Sequence, residues 1–397
     1  MASRKQQQRS TEAAPLEGSL TKAQRASIEA AASARGLTPT AYLLALHERA
    51  QAQREAAPTK APAAPRVFFK TGRGRAYLGD SLGLLTRTLA PASVDLVVTS
   101  PPFGLVYKKE YGNEDADRYL DWFRPFAAGV RRVLRERGSL VIDIGGAWNR
   151  GQPTRSLYHF KLLVMLCEEY GYHLAQEFYW WNPAKLPSPA EWVTVRRVRV
   201  KDAINCVWWL SPSPYPRASN LRVLQPYSPD MQRLLRVGYR AKKRPSGHDI
   251  TGKFARRNAG SIPPNLLVAG NNESNSRYLR YCEQQGVPVH PARFSSAIPR
   301  YFVRMLTDPG DTVLDPFAGS CVTGEVCEAL ERRWICGELR EDYLKGARGR
   351  FLKDRGPQDS KDRSAEGRQY SVWSPDAVAD GDTTALPADG GESRSRG

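Results

Sequence analysis

The sequence predicts an α/β fold, a doubly wound and mostly parallel sheet carrying an inserted recognition region and a small helical segment at the amino-terminal end. Three observations carry that expectation. "ASVDLVVTS", ending at Ser100, is a β-branched apolar run followed by the amphipathic stretch "DRYLDWFRPFAAGVRRVLRER" and then by "SLVIDIGG", which together read as strand, helix, strand. Near the other end "DTVLDPFAGSCVTGEVCEALERRWICGEL" reads as strand, loop, helix and strand. The chain has 397 residues, 41% of them hydrophobic, enough to bury a sizeable α/β core.

Taken in order, residues 1–18 are polar and predict disorder. Residues 19–54 read as a helical hairpin broken at Gly36. Its first helix runs from about Lys22 to Arg35, and its second is capped by Thr38 or Thr40 with Pro39 in its first turn. The pair is too small for a core of its own, and it resembles the helical half of a ribbon-helix-helix module without the strand arm; a docked hairpin or a dimer contact is the plainer reading. Residues 55–66 form a Pro/Ala linker, and 67–355 carry the α/β pattern. In it, the first amphipathic helix is expected to run up to Gly138, "HFKLLVMLCEEYG" is a helix stopped by Gly171, and "YHLAQEFYWWNP" and "DAINCVWWLS" are strand-like. From Ser211 to about Pro288 regular periodicity gives way to Pro, Gly, Asn and basic residues, and 185–288 is expected to be an insert in the domain. "AIPRYFVRMLTDPG" then resumes as helix, and 356–397 is a tail without a period that could bury a core.

The net charge is +18, and from Lys185 to Arg257 there are 16 Lys and Arg against 4 Asp and Glu, a net +12 in one window. That window interleaves its cations with Trp192, Trp208, Trp209, Tyr215, Tyr227 and Tyr239, the mixture that phosphate contacts and base stacking require. Arg196, Arg197, Arg199, Arg217, Arg222, Lys242, Lys243 and Arg244 are its candidate contacts to phosphate or guanine edges. The six cysteines are scattered without a C-x-x-C pair, which argues against a disulfide framework or a zinc site, and no metal is expected. No apolar run reaches eighteen residues and "ASRKQQQRS" after Met1 lacks a signal-peptide core, so a cytoplasmic protein with no membrane partner is expected.

Two loops can hold chemistry. In "TVLDPFAGSCVTGEVCEAL" a buried strand ends at Asp315, Gly319 and Gly324 let backbone approach a ligand, and a helix follows. The turn lacks the lysine of a phosphate-binding loop and the spacing of a dinucleotide fingerprint. One strand later "WICGEL" brings Glu338 to a strand end, where a carboxylate can accept from both hydroxyls of a ribose. The second loop is "TSPPF". At the carboxyl end of a parallel strand, Pro101 and Pro102 stiffen the backbone, Ser100 offers a hydroxyl, the carbonyls of Ser100 and Pro101 are spare, and Phe103 presents a flat face. Such a corner can receive a planar heterocycle bearing an exocyclic amine.

TSPPF, a later DPFAGS-x-x-TG and an acidic strand end, in that order, resemble the DNA amino-methyltransferases in their permuted β group, over about Tyr77 to Leu344. The resemblance implies a Rossmann-like methyltransferase fold, S-adenosylmethionine as cofactor, double-stranded DNA as partner, and extrusion of the target base by base flipping. It extends to "YLGDSL", whose Asp80 corresponds to an acid reaching the cofactor's adenine. In "HPARF", His290, Pro291 and Phe294 correspond to a cofactor-side segment. Asp315, Phe317, Gly319, Ser320 and Gly324 match the part that holds the methionine moiety, and Glu338 matches the ribose acid. Family members with Ser before Pro-Pro-Phe mostly methylate cytosine N4, whereas Asp or Asn there accompanies adenine N6.

Ser100, Pro101, Pro102 and Phe103 are therefore the expected catalytic corner of a cytosine-N4 methyltransferase. Adenine-N6 methylation, or a non-catalytic DNA-binding protein on the same fold, is the alternative. No cysteine follows a proline, so the nucleophile of ring-carbon methylation is absent. An aromatic amine is a poor nucleophile because its lone pair is delocalised. If Ser100 and the Pro101 carbonyl accept its two hydrogens, the nitrogen is drawn toward a tetrahedral shape, and no strong base is required. A homodimer, and a restriction endonuclease acting on the same site, are the further partners this resemblance leaves open.

Overall fold

The computed structural model describes residues 21–33, 36–55, 62–105, 114–238, 258–271, 276–293 and 295–352. The expected disordered stretches 1–18 and 356–397 lie outside these residues. The chain divides into two units, Met1–Lys60 and Ala61–Gly397, and the division falls within the Pro/Ala stretch 55–66.

The first unit holds helices α1 (Lys22–Ser33) and α2 (Pro39–Glu55). Thr21 and Gln24 form a reciprocal cap at the start of α1: the Thr21 N–H donates to Gln24 Oε1 (2.8 Å) and the Gln24 N–H to Thr21 Oγ1 (3.3 Å). Of the two threonines offered as cap for α2, Thr38 serves, accepting from the Ala41 N–H at 3.2 Å, with Pro39 as the first helical residue.

The second unit is built on a nine-stranded sheet. Its strands are β1 (Arg66–Lys70), β2 (Gly74–Leu78), β3 (Val94–Thr99), β4 (Leu134–Ile144), β5 (His173–Trp181), β6 (Ile204–Ser211), β7 (Leu266–Val268), β8 (Thr312–Asp315) and β9 (Arg333–Glu338). The spatial order is β1-β2-β9-β8-β3-β4-β6-β5-β7, and only β1 and β6 run against the rest. The helices are α3 (Ser81–Gly83, continued by a turn over Leu84–Thr88), α4 (Tyr119–Val133), α5 (Tyr158–Tyr170), α6 (Pro229–Val237), α7 (Arg277–Gln285), α8 (Ala297–Leu306), α9 (Val322–Ala329) and α10 (Glu341–Ala347).

The central strands are apolar on both faces because helices cover both. Leu96, Val98, Val141, Val313 and Trp334 pack toward α8, α9 and α10. The alternate positions Val97, Leu140, Ile142 and Leu314 pack toward α4, α5 and the turn after α3. This is the doubly wound sheet that the strand–helix periodicity predicts.

Two boundaries differ from the sequence reading. Helix α4 ends at Val133 rather than near Gly138, because Leu134 already pairs with Val94, and β4 bulges between there and Ser139. Nor is 185–288 a single excursion: β6 lies between β4 and β5 in the middle of the sheet and β7 extends the sheet beyond β5. The alternation of Val207 and Trp209 with Trp208 and Leu210 between the two cores is the physical reason, since such a segment is satisfied only inside a covered sheet.

Candidate active site

The carboxyl ends of β2, β3, β4, β8 and β9 share one edge of the sheet, and the loops leaving β2, β3, β8 and β9 converge on a cavity of about 300 Å³. Ser100, Pro101, Pro102 and Phe103 form one wall. Asp80, His290, Phe317, Gly319, Ser320 and Glu338 line the rest. Asp80 begins α3, its Oδ1 accepting from the Leu82 N–H at 2.8 Å. Gly319 stands at φ +52°, and a Cβ there would lie 2.9 Å from His290 Nε2, so only glycine allows this turn to close on the histidine. Its N–H donates to Glu338 Oε2 (3.0 Å), while the Arg340 N–H donates to Oε1 (2.8 Å). These bonds fix the carboxylate, which burial pushes above its ordinary range.

Burial lowers His290 to about 4, so the imidazole is neutral near pH 7. Its Nδ1 accepts from the Ala292 N–H at 3.2 Å. Phe317 packs against Trp122 and Phe126 with ring centroids 5.8 and 5.0 Å away, giving the cavity an aromatic wall. Behind the turn, buried Arg350 donates to the Ser320 carbonyl (2.8 Å) and Oγ (3.2 Å) and to Glu325 Oε2 (2.6 Å).

A second cavity, also about 300 Å³, opens from the same corner. It shares Ser100, Phe103, Ala292 and Arg293 with the first and continues to Asp143, Trp180, Asn182, Lys185 and Asn205. The Ser100 hydroxyl donates to Asp143 Oδ2 at 3.0 Å, and Asn205 Nδ2 donates to Oδ1 at 3.1 Å. Asp143, the last residue but one of β4, is 1% exposed, and burial pushes its carboxyl up to about 6. Gly145 follows it; a Cβ there would meet the Phe103 ring at 2.6 Å, so the bare backbone lets that ring lie over the end of β4. With its proton committed to Asp143, Ser100 has only lone pairs left to offer: the corner is an acceptor.

Several sequence-predicted residues lie elsewhere. Asp315 is buried with its oxygens taken by Thr99 Oγ1 and Thr323 Oγ1, both at 2.7 Å, so it ties β3 to α9 rather than facing the cavity. Gly324 lies inside α9 against Trp334 and Cys336, a packing position. Pro291 is not among the cavity-lining residues, and Phe294, Lys242, Lys243 and Arg244 fall outside the described residues.

The candidate DNA contacts divide sharply. Arg217 pairs with Asp311, with Asp95 at 3.7 Å and with Asp308 at 3.6 Å; Arg222 pairs with Asp308 at 2.7 Å. These acids sit where β3 and β8 begin, the edge opposite the cavities, so both arginines are internal struts there. Arg196, Arg197 and Arg199 lie between β5 and β6 on the cavity edge. Sequence reasoning missed Asp143 and Asn205; the signal for the first was a lone acid in the apolar run "SLVIDIGG".

With this geometry in hand, the DNA methylase family (N6_N4_Mtase) matches residues 94–348. The chain belongs to that family. The methylase is 48% identical over 287 residues to the Type II methyltransferase M.PvuII of Proteus hauseri, covering 72% of this chain and 85% of the relative. It is 44% identical over 284 residues to the Type II methyltransferase M.SmaI of Serratia marcescens, covering 66% and 85%. The solved PvuII DNA methyltransferase (cytosine-N4-specific) matches with a TM-score of 0.60 and 41% identity over 75% of this chain and 92% of that one. The family's methyl donor is S-adenosylmethionine. Among the described residues no group of three or more His, Cys, Asp and Glu could hold a metal ion, and no helix is long and apolar enough to cross a membrane.

Proposed function

We propose that this methylase transfers a methyl group to the N4 amine of cytosine in duplex DNA, with the first cavity holding S-adenosylmethionine and the second holding the extruded base. The observation that carries the reading is the Ser100–Asp143 hydrogen bond at the junction of the two cavities.

The residues fit the cofactor. Gly319 leaves room where a methyl would clash, Glu338 has lone pairs left for ribose hydroxyls, Asp80 stands ready for the adenine amine, and the Phe317 wall suits an apolar ring. When bound, the cofactor supplies a methyl activated by a sulfonium. The protein's residues do the rest. Ser100 Oγ and the Pro101 carbonyl accept the two amine hydrogens and turn the nitrogen's lone pair out of conjugation, and Phe103 stacks on the base. As the nitrogen becomes positive, its proton can pass to Ser100 Oγ while the serine proton moves to Asp143, whose carboxyl at about 6 suits an acceptor of that kind. To the sequence expectation that no strong base is required, this reading adds a serine backed by a carboxylate.

Asn182, Lys185 and Asn205 would meet the base's other polar edge, and Arg196 and Arg197 of the segment between β5 and β6 would meet DNA, whereas Arg199 is turned inward to Asp202. We further propose that the enzyme works in the cytoplasm beside an endonuclease of the same specificity, and that residues 19–54 support a dimer. Expression in a host lacking DNA methylation, followed by modified-base sequencing, tests the function. N4-methylcytosine at one fixed motif is expected; N6-methyladenine would overturn the choice of base, and unmodified DNA the activity.

A further inference from the structure

Between β5 and β6 the chain forms a strap, residues 182–203, over the cavity edge, and Asn182, Lys185 and Ala203 of that strap are themselves wall residues of the second cavity. The strap is pinned from inside. The Asp202 N–H donates to the Ser188 carbonyl (3.3 Å) and Lys201 Nζ to the Lys185 carbonyl (3.1 Å). Arg199 turns inward to Asp202 (3.2 Å) and lies 5.5 Å from the Trp148 ring, while Arg155 holds Asp202 from the other side at 2.7 Å.

These bonds leave aliphatic side chains outside. Val195 is 69% exposed, Val198 62% and Val200 84%. Branched apolar side chains held outward on a braced loop, in the most basic part of the chain, mark a contact surface rather than a solvated turn. Two features select DNA as what covers it: the strap's own excess of five Lys and Arg over two Asp and Glu, and a cavity wall built from the same strap at the corner proposed to receive the base. Once a base has left the stack, its former neighbours face an empty step, and a compact aliphatic group fills that gap without needing a hydrogen-bond partner.

We infer that Val200 is a wedge that enters the base stack beside the extruded nucleotide and holds the gap open. The assignment rests on the base-extrusion reading above. Val200 is the most exposed of the three valines, and its neighbours Arg199 and Lys201 are both tied to the braced side of the strap, so it is held outward on the segment whose Ala203 lines the second cavity.

The test compares wild type and Val200→Ala in single-turnover methylation of two duplexes carrying the motif found by sequencing, one with the target cytosine paired to guanine and one with it opposite an abasic site. The expected result is a loss of about tenfold or more on the paired duplex and less than about twofold on the unpaired one, since only the first requires opening of a pair. Cofactor affinity is expected to be unchanged. Equal losses on both duplexes, or no loss on the paired one, would overturn the wedge. A wild type that methylates neither duplex would instead overturn the function on which it rests. Val200 is exposed and its side chain packs on no core, so the variant folds.

Discussion

The two edges of the sheet treat their acids in opposite ways. At the amino edge, Asp95, Asp308 and Asp311 are met by guanidinium groups: Arg135 (3.1 Å) and Arg217 at the first, Arg222 and Arg217 at the second, Arg217 at the third. At the carboxyl edge, Asp143 is met by a hydroxyl and an amide, and Asp315 by two hydroxyls, and burial pushes each carboxyl up to about 6. A cation beside a carboxylate commits its oxygens to an ion pair. Neutral donors hold it in place while leaving it able to take a proton near neutral pH. One edge is built for cohesion, the other for chemistry.

The strongest way to break this contrast is at the acceptor corner. Ser100→Ala and Asp143→Asn are each expected to lower the single-turnover rate by roughly 10²–10³-fold, on the scale of losing one preorganised hydrogen bond at a reacting group. Cofactor dissociation constants from calorimetry should stay within about twofold, because neither side chain is part of the glycine turn; parallel losses in both quantities would remove the pair from the chemistry. Gly319→Ala should do the reverse. A Cβ at φ +52° and 2.9 Å from His290 Nε2 forces the turn outward, so cofactor affinity is expected to fall by about tenfold or more while stability changes by only about 1 kcal/mol.

A subtler probe is pH. Below its pKa, Asp143 carries a proton that can donate to Ser100 Oγ and occupy the lone pair the amine needs, so the rate should fall as pH drops through about 6. The amide of Asn205 holds Asp143 lower by donating to its carboxylate. Asn205→Ala should therefore move the acid limb upward, by about half a pH unit to one unit. A limb that stays in place would mean that another group controls it.

These contrasts also explain how far the sequence could be read. That the TSPPF corner, the glycine turn and the strand-end Glu line one cavity was legible because Pro-Pro, Gly and Glu338 have only local work to do: their backbone requirements are written in adjacent residues. The α4–β4 boundary was not, because Gly138 looks like a helix stop when β3 is not yet beside it. Asp143 escaped notice since its partners lie 43 and 62 residues away along the chain, and nothing in "VIDIGG" names Ser100 or Asn205. The basic window misled in the same way. A count of cations cannot distinguish Arg197, on the strap, from Arg217, whose counter-ions come from β3 and from the turn before β8. Charge becomes a binding surface only after the internal pairs are subtracted, and that subtraction is a property of the fold.

Arg217 gives the smallest expected effect and the cleanest separation of the two edges. Its guanidinium spans Asp95 and Asp311, which approach from neighbouring strands, and Arg217 N–H also donates to the Arg137 carbonyl (3.1 Å). Arg217→Ala would leave Asp95 with Arg135 and Asp311 with backbone donors only, so its cost should be modest, roughly 1–2 kcal/mol by denaturant unfolding. If Arg217 belonged to the DNA surface, the same substitution would weaken binding at all sequences and flatten the salt dependence of affinity by about one counter-ion. The expected outcome is a shifted unfolding midpoint with an unchanged salt slope, whereas Arg197→Ala should change the slope and leave the midpoint alone. The reverse pattern would mean that the amino edge, and not the edge with the two cavities, meets the phosphates.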